Sequence, residues 1–369
     1  MSDADFLRRA LEQAERGRGL TSPNPLVGAV VVRDGRIVGE GAHLRAGGPH
    51  AEIEALTAAG EAARGATLYV TLEPCNHHGR TPPCAPAVVR AGITRVVAAL
   101  RDPNLTVHGG GVDLLRHAGL EVEVGVLAAE AERQNRAWLT AMRERRPHVT
   151  LKAAATLDGK IADVHGASRW ITGEAARRQV HRMRAESDAI IVGVTTALRD
   201  DPSLTVRLDA PWPREPYRVV LDTHARLSPE ARVIHAGTPA RALIAVGASA
   251  ASSPVAALEA AGATVVRCPL RDGRVDVSAL LTRLFDLEVR AVLVEGGGEV
   301  HAAFLDASIV DRVALFVAPL LLGGRAATGV IGGEGRELKS ALRLGRPEVS
   351  VFGDDLLIEG DVISRAAGA

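Results

Sequence analysis

The chain has 369 residues, a formal net charge of zero and an aromatic content of 3%. A chain of this length is expected to form two domains or three, each large enough to bury its own core. Because positive charge is not in excess and few rings are available for base stacking, the composition argues against a nucleic-acid-binding protein and favours a small-molecule substrate.

The number of cysteines and the pattern of apolar stretches indicate the cellular compartment in which the protein works. Three cysteines are too few for a paired disulfide framework. The N-terminus mixes charged with apolar residues, so it lacks the continuous apolar core of a signal peptide. The most apolar stretch, residues 240–266, is interrupted by polar and charged side chains and does not read as a membrane span. We therefore expect a cytoplasmic protein without a membrane partner.

The first part of the chain alternates between helical and strand patterns. Apolar residues at helical spacing predict a helix over residues 5–16, and Asp34-Gly35 between two β-rich runs predicts a hairpin. Further strands are predicted over residues 67–72, 95–100 and 120–126, and further helices over residues 85–91, 111–118 and 128–145. Strands that alternate with helices indicate a three-layer α/β domain, which we expect to end before Pro147.

The motif Pro49-His50-Ala51-Glu52 precedes two cysteines, Cys75 and Cys84. A neutral imidazole and two thiolates supply three ligands for a tetrahedral zinc ion and leave the fourth position for water, as a catalytic site requires. Glu52 is then the candidate base that takes a proton from water and passes it to a leaving amine. His-x-Glu followed by Pro-Cys and a second cysteine is the signature of the zinc nucleobase deaminases.

The spacing within this motif makes a local structural prediction. On a regular helix, residues two apart point in nearly opposite directions, so His50 should stand at the start of a helix if it shares a site with Glu52. Cys84 is expected at the start of a later helix, where the pKa of a thiol is lowered. The alternative interpretation is a structural zinc ion or an unrelated set of buried groups.

Beyond Pro147 the patterns are again those of an α/β domain. Strands are predicted over residues 148–155, 189–194, 219–222, 242–246, 264–267 and 291–295, and helices over residues 174–184 and 299–305. Glycines 296–298 join a strand to a helix, where backbone amides can approach a phosphate group. A tight turn without a ligand explains these glycines equally well, since they form neither a Rossmann nor a Walker sequence.

Longer motifs resemble one known family. The run Pro74-Cys75-Asn76-His77-His78-Gly79-Arg80-Thr81-Pro82-Pro83-Cys84 places eight residues between the cysteines instead of two, and it resembles the deaminase half of the bacterial bifunctional riboflavin-biosynthesis enzymes. Residues 156–160, 168–173 and 195–207 and the turn after Glu295 resemble successive motifs of the reductase half. The resemblance implies a cytidine-deaminase-like three-layer α/β/α domain over residues 1–146 and a dihydrofolate-reductase-like α/β domain over residues 147–369.

The resemblance also implies two reactions. These are the zinc-dependent hydrolytic deamination of 2,5-diamino-6-(5-phosphoribosylamino)pyrimidin-4-one, with one zinc ion per chain, and the NADPH-dependent reduction of its ribosyl group to a ribityl chain. One alternative is a single-activity deaminase with a non-catalytic second half. Four intact residues argue against it: Ser168, Asp200, Arg207 and Glu295. Another is a zinc-stabilised regulatory protein, which would need a fourth protein ligand, and Cys268 has no flanking metal motif. The sequence leaves open whether the chain forms a homo-oligomer.

Matching motifs assign the site residues implied by the resemblance. His50, Cys75 and Cys84 would bind zinc, Glu52 would move protons, and the pyrimidine pocket would comprise Asn24, His43, His77, Arg80, Asp102 and Asn104. The reductase substrate would contact Ser168, Arg184, Leu204, Arg207 and Glu295, the arginines suiting a phosphate. NADPH would contact Ala154, Trp170, Thr196, Asp200, Asp222, Gly297, Gly298, Glu299 and Val300. The alternative is that these histidines and arginines are ordinary core or surface residues.

Overall fold

The structure is a computed structural model that describes residues 1–79, 81–104 and 110–363. The described residues form two compact units, which divide between Arg145 and Arg146. The first unit is built on a five-stranded sheet and the second on a ten-stranded sheet. Within the described ranges, no helix has the length and apolar character needed to cross a membrane.

The first unit has six α-helices and five strands among its described residues. The helices are α1 (Asp3–Glu15), α2 (Ala51–Ala59), α3 (Cys84–Arg90), α4 (Gly111–His117), α5 (Ala128–Gln134) and α6 (Arg136–Glu144). The strands are β1 (Gly28–Arg33), β2 (Arg36–Ala42), β3 (Thr67–Val70), β4 (Arg95–Ala98) and β5 (Glu121–Val124). In the sheet order β2-β1-β3-β4-β5, β1 is antiparallel to β2 and β3, whereas β3, β4 and β5 are parallel.

Glycines in the β1–β2 hairpin let helices pack on both faces of this sheet. A Cβ atom on Gly28 would lie 1.9 Å from the carbonyl oxygen of Ala10 in α1. One on Gly41 would lie 2.2 Å from the carbonyl oxygen of Ala51 in α2. Gly41 pairs with Ala29, the neighbour of Gly28 along β1, so the two glycines face opposite sides of the sheet. The helices α1 and α2 therefore cover opposite faces, and the predicted three-layer α/β/α arrangement is confirmed.

The prediction of one continuous helix over residues 128–145 is wrong, because α5 and α6 meet at Asn135. The backbone of Asn135 leaves the helix, with φ −102° and ψ 15°. Its buried side chain accepts a hydrogen bond from the backbone N–H of Leu26 and donates one to the Leu26 carbonyl, each 2.8 Å long. These two bonds satisfy backbone groups that are buried at Leu26. A contact with such a distant residue leaves no trace in a local helical pattern.

The second unit has six α-helices and twelve strands among its described residues. The helices are α7 (Glu174–Glu186), α8 (Val194–Asp200), α9 (Arg232–His235), α10 (Ser252–Ala260), α11 (Val277–Asp286) and α12 (Gly298–Asp306). The strands are β6 (His148–Thr156), β7 (Ala189–Gly193), β8 (Tyr217–Leu221), β9 (Ala242–Gly247), β10 (Thr264–Cys268), β11 (Leu270–Arg271), β12 (Arg274–Val275), β13 (Ala291–Val294), β14 (Arg312–Ala318), β15 (Arg343–Leu344), β16 (Glu348–Phe352) and β17 (Asp355–Ile363).

The large sheet of this unit is mainly parallel. Its order is β10-β9-β8-β7-β13-β6-β14-β17-β15, and β16 also pairs with β17. The strands from β10 to β14 are parallel neighbours, whereas β17 is antiparallel to β14, β15 and β16. Alternate residues of β7 enter separate apolar cores, with Ile191 in one and Ile190 in the other. Both faces of the parallel part are therefore buried, which is typical of α/β folds.

Two candidate active sites

Three elements of the first unit bring His50, Cys75 and Cys84 together. His50 is the N-cap residue of α2, Cys84 is the first residue of α3, and Cys75 lies in the loop after β3. The predicted position of His50 at a helix start is therefore confirmed. Nδ1 of His50 is 3.5 Å from Sγ of Cys75 and 3.3 Å from Sγ of Cys84. The three candidate ligand atoms all lie within 4.8 Å of one another, close enough to surround one metal ion.

The donor set fits zinc. Among the described residues the cluster offers one imidazole and two sulfur atoms, which leaves one corner of a tetrahedron for water. Nε2 of His50 lies 3.1 Å from Oγ1 of Thr81, so a proton on Nε2 can be donated to that hydroxyl and Nδ1 stays available as a ligand. Hydrogen bonding to Cys84 and His50 lowers the pKa of Cys75 to about 4, which favours the metal-binding thiolate. The hydrogen bond with Cys75, together with burial, raises the pKa of Cys84, so the lowered pKa predicted for Cys84 at its helix start is wrong.

Glu52 is in the first turn of α2, two residues after His50, and its side chain is almost completely buried. Burial, with the charge of Cys75 as a second cause, raises the pKa of the Glu52 carboxyl to about 7. A carboxyl group with such a pKa can both accept and release a proton near neutral pH. The described residues therefore place a proton carrier directly beside the metal cluster.

Asn24 and His43 form a hydrogen-bonded pair next to His50. Nδ1 of His43 is 2.9 Å from the carbonyl oxygen of Pro49, and its Nε2 is 3.1 Å from Nδ2 of Asn24. Because a carbonyl oxygen only accepts, Nδ1 carries the proton and Nε2 accepts from the Asn24 amide. Burial lowers the pKa of His43, which favours the neutral ring. His43 therefore orients Asn24 and supports the residue that precedes His50.

Glu73 organises the loop that carries Asp102 and Asn104, and sequence reasoning missed it. Its buried carboxylate accepts hydrogen bonds from the backbone N–H groups of Asp102 (3.1 Å) and Val112 (2.8 Å). Asp102 in turn accepts a hydrogen bond from the backbone N–H of Asn104 at 2.8 Å. Burial raises the pKa of Asp102. The available signal was an acidic residue directly after the predicted strand over residues 67–72 and immediately before Pro74-Cys75.

His77 and Arg80 are the remaining two residues of the predicted pyrimidine pocket. His77 is exposed, and its positive form would lower the pKa of Asp102, so the two side chains are within electrostatic reach. Arg80 lies outside the described residues.

The second unit contains a pocket of about 640 Å³. All five predicted contacts for the reductase substrate line it, together with five of the nine predicted for the cofactor; these ten are Ser168, Arg184, Leu204, Arg207, Glu295, Ala154, Trp170, Thr196, Asp200 and Gly297. Lys152 and His181, which the motifs did not assign, also line the pocket. The structure therefore brings together residues from three widely separated motifs.

Four residues predicted to contact the cofactor do not line this pocket: Asp222, Gly298, Glu299 and Val300. Asp222 is fully buried and accepts a hydrogen bond from the backbone N–H of Leu227 at 2.8 Å. Glu299 forms a 2.8 Å ion pair with Arg274. A Cβ atom on Gly298 would lie 2.9 Å from the carbonyl oxygen of Gly329, so close backbone packing already requires glycine there.

The carboxylate of Glu295 faces two cations inside the pocket. Arg184 donates to it from Nε at 2.6 Å and from Nη2 at 2.9 Å, and Nζ of Lys152 lies 3.9 Å away. Burial alone would raise the pKa of Glu295, but the charges of Arg184 and Lys152 outweigh it and lower that pKa to about 2. Burial lowers the pKa of Lys152. The guanidinium group of Arg184 thus donates to Glu295. The matching motifs instead predict that it binds a phosphate group.

The two sites and their folds define a class: a two-domain enzyme that joins a zinc-dependent deaminase domain to a reductase domain. Residues 1–100 match the cytidine and deoxycytidylate deaminase zinc-binding region, and residues 147–358 match the RibD C-terminal domain. The chain belongs to the RibD family of riboflavin biosynthesis proteins. The predicted fold classes of both halves are confirmed by these matches and by the solved structures below.

Several curated relatives match over most of the chain. The riboflavin biosynthesis protein RibD of Aquifex aeolicus is 42% identical over 96% of this chain and 97% of its own length. The Escherichia coli protein is 43% identical, with coverages of 88% and 90%. The solved structure of Acinetobacter baumannii RibD shares 37% identity and a TM-score of 0.88, and covers 98% of this chain and 99% of its own.

A further solved structure is that of a diaminohydroxyphosphoribosylaminopyrimidine deaminase/5-amino-6-(5-phosphoribosylamino)uracil reductase from Thermotoga maritima. It shares 39% identity and a TM-score of 0.84, and covers 98% of this chain and 99% of its own. This chain is accordingly a bifunctional deaminase and reductase of riboflavin biosynthesis that uses zinc and NADPH. A deaminase with a non-catalytic second half is not favoured, because both halves match the family.

Proposed function

We propose that residues 1–146 deaminate 2,5-diamino-6-(5-phosphoribosylamino)pyrimidin-4-one and that residues 147–369 then reduce the ribosyl group of the product to a ribityl chain. The observation that carries the proposal is the cluster of His50, Cys75 and Cys84 with buried Glu52 beside it. The substrate names in the Thermotoga maritima relative support the choice of pyrimidine.

In the deaminase half, His50, Cys75 and Cys84 hold the zinc ion, which supplies Lewis-acid activation of water when bound. Glu52 accepts a proton from the attacking water and passes it to the ring nitrogen, and it then takes the proton of the hydroxyl group added to the ring carbon and passes it to the amine, which leaves as ammonia. Its pKa of about 7 suits both directions of transfer. Thr81 keeps the His50 ring in the orientation that presents Nδ1 to the metal.

The pyrimidine is held by polar groups around this cluster, namely Asn24, His43, His77, Asp102 and Asn104. Arg80, which lies outside the described residues, is assigned to the same pocket by its motif alone. The amide N–H of Asn24 donates to the neutral ring of His43. The amide oxygen of Asn24 is therefore available to accept from a substrate N–H group. Asp102 and Asn104 are linked by a hydrogen bond, so they act as one wall of the pocket.

In the reductase half, Ser168, Leu204 and Arg207 contact the phosphoribosyl part of the substrate, and the ionised Glu295 held by Arg184 faces the reacting sugar. NADPH, which supplies the hydride when bound, lies along Ala154, Trp170, Thr196, Asp200 and the turn that begins at Gly297. Gly298, Glu299 and Val300 contribute through the first turn of α12, and Asp222 supports the site from the core. The chain itself supplies orientation and electrostatics.

We further propose that the protein works in the cytoplasm on small molecules and does not bind nucleic acid. All three cysteines are free thiols in the structure, and the two in the metal cluster must stay reduced to bind zinc. The zero net charge and the 3% aromatic content support a small-molecule enzyme.

The experiment is to incubate the purified full chain with the pyrimidine substrate and NADPH and to record ammonia release and NADPH oxidation separately. We expect one ammonia and one oxidised NADPH per substrate, with ammonia release first. Ammonia release without NADPH oxidation, also when the deaminated product is supplied directly, would identify a single-activity deaminase. NADPH oxidation on that product without ammonia release from the first substrate would refute the deaminase assignment.

A further inference from the structure

A short segment, residues 201–207, carries Leu204 and Arg207 to the reductase pocket. Two of its residues have left-handed backbones, Asp201 with φ 39° and Leu204 with φ 48°. This conformation is unfavourable for residues that have a Cβ atom, so it persists only where surrounding contacts enforce it. The position of Arg207 in the pocket therefore depends on groups outside the segment.

The helix α7 supplies these contacts from two side chains on one face. His181 and Arg184 are three residues apart, which makes them neighbours on the helix surface. Nη1 of Arg184 donates to the carbonyl oxygen of Thr205 at 3.1 Å. The backbone N–H of Arg207 donates to Nδ1 of His181 at 3.2 Å, and Nε of Arg207 lies 3.3 Å from Nε2 of the same ring. His181 thus contacts both the backbone and the guanidinium group of Arg207.

The charge state of His181 suits this contact. Burial, followed by the charges of Arg184 and Arg207, lowers the pKa of His181 to about 4. At neutral pH the ring is therefore uncharged and has one nitrogen that accepts a hydrogen bond. A protonated ring would have no acceptor nitrogen and would place a third positive charge beside two arginines.

We propose that His181 is a positioning residue that holds Arg207 for the phosphate group of the reductase substrate. It acts through Arg207 and touches no reacting atom. This inference rests on the proposed role of Arg207, and no motif or match assigns a role to His181. A guanidinium group that is already held in place loses less side-chain entropy when it binds phosphate than one that moves freely.

The test uses the full chain with saturating NADPH and two substrates, the deaminated phosphoribosylaminouracil and its dephosphorylated form. His181→Ala should raise KM for the phosphorylated substrate about threefold to tenfold, the effect of losing the one hydrogen bond that Nδ1 of His181 accepts from the backbone N–H of Arg207. We expect kcat and the KM for NADPH to stay within about twofold. The KM for the dephosphorylated substrate should not change, since that substrate has no phosphate for Arg207 to bind. His181→Asn retains an acceptor near the Nδ1 position and should recover most of the affinity.

The variant Arg207→Ala tests the phosphate contact of Arg207 independently of the inference about His181. If Arg207→Ala weakens both substrates equally, the proposed phosphate contact is wrong. If it discriminates between them and His181→Ala does not, the inference about His181 is overturned. The double variant should bind the phosphorylated substrate no more weakly than Arg207→Ala, because His181 acts through Arg207. Additive losses, or an equal rise in the KM for NADPH, would also overturn the inference.

Discussion

Arg184 and Glu295 form a two-point ion pair in the reductase pocket, with donor–acceptor distances of 2.6 Å and 2.9 Å. The pair connects α7 to the residue that follows β13. The side chains are only 11% and 8% exposed, so water does little to screen either charge. Removing one partner from such a pair leaves a buried charge without compensation, which costs more than the pair contributes.

The first prediction concerns this pair. Glu295→Ala should lower the free energy of unfolding by about 3–5 kcal/mol, because Arg184 would stay buried and unpaired. The double variant Arg184→Met/Glu295→Leu should be less destabilised than Glu295→Ala, because it removes both charges. Urea unfolding of the full chain measures both values. A double variant that loses as much as the sum of the single variants Arg184→Met and Glu295→Leu would show that the residues do not interact.

The second prediction concerns metal content. Cys75→Ser or Cys84→Ser should abolish both zinc binding and deaminase activity, because a hydroxyl is a poor replacement for a thiolate ligand. Reduction of the deaminated substrate should continue. Cys268→Ser is the matched control, since Cys268 is a buried cysteine of the other unit and should leave zinc content unchanged. Metal analysis together with ammonia release tests the prediction, which full deaminase activity in zinc-free protein would contradict.

The third prediction concerns proton transfer. Glu52→Gln keeps the size of the side chain but removes the proton carrier, so deamination should fall roughly 10²- to 10⁴-fold. Zinc content should be unchanged. NADPH oxidation on the deaminated substrate should match wild type within about twofold, since the reductase half supplies only positioning and electrostatics. Glu54→Gln, an exposed position on the same helix, is the control. Loss of both activities in a folded, zinc-containing variant would mean that the two halves depend on each other.

The fourth prediction concerns Glu73. Glu73→Ala removes the acceptor for the backbone N–H groups of Asp102 and Val112. We expect KM for the pyrimidine to rise about tenfold or more, since each hydrogen bond to a charged group contributes about 1.5–3 kcal/mol. Zinc content and reduction of the deaminated product should be retained. Glu61→Ala, at an exposed position, should change neither constant. A change in kcat without a change in KM would argue against a role in substrate binding.

The metal cluster could be predicted from the sequence because its information is local. Because His50 and Glu52 are two residues apart, they can share a site only if His50 precedes the first turn of the helix, and in the structure His50 is the N-cap. The cysteines are identified by their flanking prolines and by the run between them. The fold of each half was accessible through motifs that resemble a known family, together with alternating strand and helix patterns.

What could not be predicted depends on partners that are distant in the sequence. Glu73 bonds to residues 29 and 39 positions away, and the hydrogen bonds of Asn135 to Leu26 span 109 positions. The strands β14 to β17 were also missed. In β16 the side chains of Val349 and Val351 are 60% and 69% exposed, so its pattern lacks the polar outer face that marks a half-buried strand.

The close approach of Gly41 to α2 determines how far substitutions in the core can move His50. The carbonyl oxygen of Ala51 lies where a Cβ atom on Gly41 would be, so the main chain next to His50 rests directly on the main chain of β2. No side chain lies between them to change size or rotamer. Replacements among apolar core residues such as Leu68 or Val96 should therefore alter the stability of this unit while the imidazole stays in register with the two thiols. A larger residue at position 41 would instead displace the start of α2, and with it the imidazole of His50, and one at position 39 would meet the same helix at Ala55.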